Sequence, residues 1–209
     1  MSSDEFDLPV PAELQRCASQ HYRFRYSCDM GASVKYRDIV REIALDHYGY
    51  VTTKDAADAG VPPGELPKLA ARGGLMNVAY GLYRVSDVPP TRYDQFAEAL
   101  LRVGDGAYLH GESVLALHGL ADVNPRRIKV AVHRRARSRL PGFIELMKVV
   151  EGARTTLYEG LESQAVADAL LECRDRIELE RLLAAAKQAR ADGLITTAEW
   201  RGVEKGIRR

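Results

Sequence analysis

The segment V51-TTKDAADAGVPPGELPKLAARGGLMNVAYGLYRV-85 decides the fold. Thr52 or Thr53 is a suitable N-cap, and Asp55 follows at the positive end of the helix it opens. Ala56, Ala57 and Ala59 make that helix short and slender, Gly60 stops it, and Val61 turns the corner. Pro62 and Pro63, which have no amide proton, suit the start of a second helix carrying Leu66, Leu69 and Ala70 on one stripe. Pro67 falls inside that helix, where it removes a hydrogen bond and bends the first turn. Gly73-Gly74 ends it. Leu75–Val78 and Leu82–Val85 then read as two strands around the turn Ala79-Tyr80-Gly81. Helix, turn, helix and hairpin in this order predict a winged helix-turn-helix, a module that reads DNA. A purely structural helical hairpin is the alternative.

Working outward, a first helix is expected at about 35–47, with Ile39, Val40, Ile43, Ala44 and Leu45 as its apolar residues and His47 at its C-terminal end. Upstream, residues 1–30 carry an acidic head and the run His21-Tyr22-Arg23-Phe24-Arg25-Tyr26, and read as an N-terminal extension. Arginine interleaved with aromatics suits base stacking, but such a short run is more often a strand or an arm packed on its own domain. The proline-rich stretch 86–92 marks a domain boundary. The winged helix is therefore placed at 31–88 and a second domain at 92–209.

The chain has 209 residues, 46% of them hydrophobic, and a net charge of +1. That length supports one large or two small folded domains. The near-zero charge means that affinity for nucleic acid has to come from local basic patches. No apolar run approaches a membrane helix and no signal-peptide pattern opens the chain, so a cytoplasmic location is expected. Cys17, Cys28 and Cys173 lack metal-site or disulfide spacing and read as free thiols.

A helix follows at about Tyr93–Val103, with Phe96, Leu100 and Leu101 buried, and a short helix within Ala107–Leu120. Gly111-Glu112-Ser113 opens like a nucleophile elbow, but Leu115 stands where the second glycine belongs. His110-Gly111-Glu112 resembles half of a zinc-deaminase signature whose cysteine half is missing. His110 and His118 are therefore expected to be structural. No catalytic residues, metal ligands or cofactors are assigned.

The residues Gly60-Val61, Leu66, Leu69, Gly73, Leu75, Val78, Gly81, Tyr83-Arg84, together with Leu109, Ser113 and Leu115-Ala116-Leu117-His118-Gly119-Leu120, resemble the AbiEi-type antitoxin family. The resemblance runs over roughly residues 35–205. It implies a winged helix joined to an antitoxin domain, an antitoxin that represses its own operon, and a nucleotidyltransferase-like toxin as the opposing partner. Where the family carries a basic residue in the first wing strand, this chain has Asn77, and Pro67 is also unusual. A chain of this kind binds the operator DNA of its own promoter, and a homodimer on DNA is expected. The competing reading is a stand-alone winged-helix regulator whose second domain senses a ligand or oligomerises.

Expected DNA contacts are Thr53 and Lys54 at the first helix, Glu65, Lys68 and Arg72 on the exposed side of the second, and Asn77, Tyr80 and Arg84 on the hairpin. A second basic group, Arg126, Arg127, Lys129, Arg134, Arg135, Arg137 and Arg139, contains no acidic residue, and its crowding suggests DNA backbone or a partner surface. Within it, Ile128, Val130 and Val132 alternate with Lys129, Ala131 and His133, which predicts a strand with one buried face. Phe143–Val150 and Thr155–Tyr158 read as further strands. Helices are expected over Leu161–Leu171 and Asp175–Ala191, with Leu179, Leu182, Leu183 and Ala186 inward and Glu178 and Arg181 placed for surface pairs. A last helix is capped by Thr196 or Thr197 and buries Trp200 and Val203. Glu145 and Lys148 lie three apart on a strand, the wrong spacing for a nuclease pair. The overall expectation is an α+β protein with a small sheet and C-terminal helices.

Overall fold

The computed structural model describes residues 35–133, 140–149 and 152–208, so the expectations for the His21–Tyr26 run lie outside the described residues. The protein is α+β, with two small sheets and several helices. Helix α1 (Tyr36–Asp46) buries Ile39, Val40, Ile43 and Ala44 at helical spacing. Leu45, two residues beyond Ile43, consequently points to the other side of the helix and is half exposed. Strand β1 (Tyr50–Thr52) follows, then α2 (Thr53–Asp58), α3 (Glu65–Ala71), β2 (Leu75–Ala79) and β3 (Leu82–Val85). These strands form an antiparallel sheet in the order β1-β3-β2. Tyr50–Thr52 was not expected as a strand, because three residues are too few to show a period.

This sheet is covered on both faces. Val51, Tyr83 and Val85 belong to one core with Ile43, Ala56, Val61, Leu66 and Leu75. Their alternates Tyr50 and Leu82 belong to the larger core, which continues to Ile207. Helix α4 (Asp94–Val103) lies at this junction. Tyr50 Oη donates to Glu98 Oε2 at 2.9 Å, and Arg102 Nε reaches Glu98 Oε1 at 2.7 Å. Arg84 Nη2 meets Asp94 Oδ2 at 2.8 Å. The β2–β3 register shifts between Asn77 and Ala79, and the Val78 carbonyl between them accepts from Arg102 Nη2 at 2.8 Å.

The second sheet has the order β6-β5-β4-β8-β7. Its strands are β4 (Tyr108–Leu109), β5 (Ile128–Val132), β6 (Ile144–Lys148), β7 (Thr155–Tyr158) and β8 (Leu161–Gln164). Helix α5 (Glu112–Leu117) follows β4. Strand β4 lies inside what reads as one short helical region, for the same reason of length. Strand β5 buries Ile128, Lys129, Val130 and Ala131, so both of its faces are covered where one was expected. It runs between β4 and β6, and α4 and α5 pack against it. Leu161–Gln164 is a strand and not the start of a helix. The two-residue turn Glu159-Gly160, with φ of 50° and 74°, folds it back on β7 as a hairpin.

Helices α6 (Val166–Glu172), α7 (Leu179–Ala191) and α8 (Thr197–Ile207) close the structure. Leu182, Ala185, Ala186 and Ala189 face inward on α7, whereas Leu179 is exposed at its first turn. Thr196 caps α8 in a reciprocal pair with Glu199. Arg181 does not pair with Glu178. It donates to the carbonyls of Ala121 and Asp122, at 2.7 and 3.0 Å, and steadies two consecutive residues with positive φ. Arg154 bridges Asp168 on α6 and Glu199 on α8.

Removing either member of the Arg84–Asp94 pair strands a charge whose surroundings are largely closed to water, the side chains being 21% and 14% exposed. Burial alone raises the Asp94 carboxyl, but hydrogen bonds from Arg84 and Thr91 hold it below its ordinary value of 3.8. A depressed carboxyl contributes stability above pH 3.8 that is lost as pH falls through the folded value. Arg84→Ala and Asp94→Ala are each expected to cost about 1.5–3 kcal/mol in urea denaturation near neutral pH. The double variant should cost less than the two together, and strict additivity would show that the two side chains do not act as a pair.

Candidate nucleic-acid interface

The α2–α3 pair is built by local rules. Thr52 Oγ1 accepts from the Asp55 amide at 3.0 Å while Asp55 Oδ2 accepts from the Thr52 amide at 3.2 Å, a complete capping box. Gly60 adopts φ 81°, which a side chain would resist, and Val61 is buried at the corner. Helix α3 begins at Glu65 rather than at Pro62, whose carbonyl instead accepts the Glu65 amide in a turn. Pro67 is therefore the third helical residue. The first four amides of a helix have no partner inside it, so the proline removes no hydrogen bond.

Leu66 is the buried anchor of α3, while Pro67, Lys68, Ala71 and Arg72 are exposed. Glu65 and Lys68 pair with each other at 2.8 Å across one turn. Arg72 caps the helix and makes no ion pair with any described residue. On the hairpin, Asn77 is exposed and Tyr80 is fully exposed at the tip. Thr53 braces that tip. Its amide donates to the Gly81 carbonyl at 2.9 Å, and its Oγ1 would lie 3.0 Å from a Cβ at Gly81, so the turn needs glycine for space as well as for its φ of 69°. Lys54 reaches Asp105 of the second unit at 3.1 Å, through an exposed pair worth little.

Two expected contacts sit elsewhere. Arg84 is turned toward α4, where it is held by Asp94 and lies over the Tyr50 ring at 5.9 Å. Lys129 is 7% exposed, and its Nζ lies 2.9 Å from Glu112 Oε2. Burying an ammonium group in the middle of a strand is costly without such a partner. Arg126 and Arg127 are exposed just before β5. Arg134, Arg135, Arg137 and Arg139 lie outside the described residues.

His110 and Ser113 are buried, and His118 is half-buried with both ring nitrogens enclosed. Ser113 is fully buried and its Oγ accepts the Lys129 amide at 2.7 Å, a lock between α5 and β5. His110 is buried with Nε2 3.2 Å from Glu172 Oε2, not aligned for a hydrogen bond, and burial lowers its pKa. Cys173 is buried beside this cluster, and burial pushes its thiol up to about 12. Among the described residues no group of three or more His, Cys, Asp or Glu is placed to hold a metal ion. No described helix is long and apolar enough to cross a membrane. Sequence reasoning missed the docking residues Tyr50, Asp94, Glu98 and Arg102. Tyr50 and Leu82 do alternate with Val51 and Tyr83, and that alternation is the available signal.

An exposed helix pair and hairpin, fused to a larger mixed unit, define an α+β protein with a small helix–hairpin module. Over residues 38–86, that module matches the family described as "Transcriptional regulator, AbiEi antitoxin". The 109–120 segment lies outside the match. No curated protein matches the chain. Among solved structures it is similar to the RV2827C protein from Mycobacterium tuberculosis, at 16% identity over 82% of this chain and 77% of that one, with a TM-score of 0.44.

His118 gives the larger unit a pH signature. Its ring lies 4.1 Å from that of Tyr158, and both ring nitrogens are buried without a hydrogen-bond partner among the described residues. Burial pushes its pKa down to about 4. A depressed histidine is neutral in the fold, so its contribution is fully present above about pH 6.5 and declines as pH falls toward 4. Thermal unfolding between pH 7 and 5 should lower the midpoint of the native chain by more than that of His118→Phe. Equal slopes would mean that this ring takes up its proton without cost.

Proposed function

We propose that the chain is an antitoxin of a toxin–antitoxin pair, with 31–88 as a winged helix-turn-helix that binds its own promoter and 92–209 as the domain that meets the partner. The observation that carries this reading is the exposed α3–hairpin surface within the segment matching the antitoxin-regulator family. The partner is a nucleotidyltransferase-like toxin, the protein acts in the cytoplasm, and it performs no chemistry of its own. The DNA contacts are Lys68 and Arg72 on α3, paired Glu65 beside them, and Asn77 and Tyr80 on the hairpin. Thr53 at the tip and Lys54, the next residue of α2, complete the set. Arg126 and Arg127, with the arginines at 134, 135, 137 and 139, extend the footprint on phosphate. Arg84 acts from behind by fixing the sheet, and Lys129 acts within the core.

Helix α3 is short, so discrimination falls on few side chains. Arg72 is the one best suited to a guanine edge, because it has no competing carboxylate among the described residues. Lys68 has to exchange Glu65 for DNA, which reduces its net gain.

A gel shift on the chain's own promoter, across a salt series and with or without the product of the neighbouring gene, tests the reading. Arg72→Ala is expected to cost about 1–3 kcal/mol on the promoter site. Unchanged affinity in both Lys68→Ala and Arg72→Ala would falsify the assignment of α3. Replacing Arg126 and Arg127 with Gln should flatten the plot of log affinity against log salt by about 0.9 for each phosphate that the arginines neutralise.

A further inference from the structure

A cavity of about 330 Å³ lies between the two units. Its floor is apolar, formed by Ala97, Leu100 and Leu101 of α4 with Leu161 of β8. Its walls come from the end of α1, the start of α2 and the Gly160 turn, so neither unit forms it alone. The rim is acidic. Asp55 is held in the α2 cap and Asp105 by Lys54, but Asp46 and Glu162 are exposed and make no ion pair with any described residue.

Tyr48 also lines the cavity, and its backbone is unusual. It has φ 54°, a left-handed conformation that costs a bulky residue free energy. The fold holds it there by a hydrogen bond from its hydroxyl to the Glu159 carbonyl and by edge contact with Tyr93. Its aromatic ring is thereby kept at a cavity bordered by two uncompensated carboxylates. An apolar floor, an aromatic wall and excess negative charge recognise one chemical class, a cation with an apolar body.

We propose that this cavity binds a small organic amine with a ring-sized apolar body, its ammonium group between Asp46 and Glu162 and its ring on the Leu100–Leu101 floor. The amine touches both units at once and so adds a bridge beside the Lys54–Asp105 and Tyr48–Glu159 contacts. An anion of the same shape is rejected by the rim. This site does not depend on the reading of α3 as a DNA helix.

The test uses the full chain with methyl-labelled leucine, titrated with tryptamine and, separately, with indole-3-acetate, which has the same ring and the opposite charge. Saturable shifts at Leu100, Leu101 and Leu161 are expected with tryptamine, at an affinity about tenfold or more above that of indole-3-acetate. The variant Asp46→Asn/Glu162→Gln should remove most of that preference. Equal affinities for the two probes, shifts centred elsewhere, or no saturable shift would overturn the proposal, as would an unchanged preference in a variant with native thermal unfolding. The comparison of probes on the unaltered chain decides the matter even where the variant does not fold. No DNA is present, so failure here is distinct from failure of the promoter reading.

Discussion

A three-stranded sheet has two faces, and in this protein both are buried. Val51, Tyr83 and Val85 seal the core beneath α1 and α3, while Tyr50 and Leu82 enter the larger core. The strands are short, so this double burial rests on very few side chains. Their period of two makes the docking unforgiving, since a slip of one residue would exchange Tyr50 for Val51 and present the wrong set to each core. The polar contacts at the junction belong to the same face. Tyr50 reaches Glu98, Arg84 reaches Asp94, and Arg102 ties Glu98 to the Val78 carbonyl.

That arrangement determines what the small unit has left to present. With the back of its sheet committed to α4, the unit presents the outer faces of its helices, α3 among them, and the hairpin tip. The tip is not left loose. Thr53 at the start of α2 holds the Gly81 carbonyl, and the capping box at Thr52 and Asp55 holds Thr53. Local sequence rules thus place Tyr80, while the long-range contacts of Arg84 and Arg102 set the orientation of the whole hairpin. Occupancy of the cavity beside α2 would act on this same junction.

Much of this was legible in the sequence, and the exceptions have specific causes. The corner at Gly60-Val61, a threonine cap at 52 or 53, the α3 stripe and both hairpin strands followed from local chemistry, and Thr52 is the residue that caps. Tyr50–Thr52 and Tyr108–Leu109 were missed because strands of three and two residues carry no measurable period. Leu161–Gln164 read as helix because its composition suits either state, and the outcome rests on the Glu159-Gly160 turn before it. Strand β5 read as half-buried because Lys129 is a charged residue. Its burial depends on Glu112, seventeen positions away. For the surface of α3 and the hairpin, residue type and helical spacing placed Lys68, Arg72, Asn77 and Tyr80 outside. They did not show that Arg84 belongs to Asp94, since that pairing depends on how two units dock.

The fate of the cations bears on how such a module would hold DNA. Among the described residues, Arg84, Arg102, Lys129 and Arg154 are bound to carboxylates, and Arg181 is bound to backbone carbonyls. Lys68 has Glu65 beside it, which leaves Arg72, with Arg126 and Arg127, as the exposed guanidinium groups of the proposed surface among the described residues; the arginines at 134, 135, 137 and 139 are proposed to join them. A net charge of +1 supplies no field to supplement them. Each arginine of the proposed footprint that neutralises a phosphate would release counterions and steepen the dependence on salt. A single small module in that position gains its affinity from directed hydrogen bonds and shape, which a seven-residue helix can supply only sparingly. Two copies reading two half-sites would double both the directed contacts and the phosphate contacts, which is the physical ground for the proposed dimer on the operator.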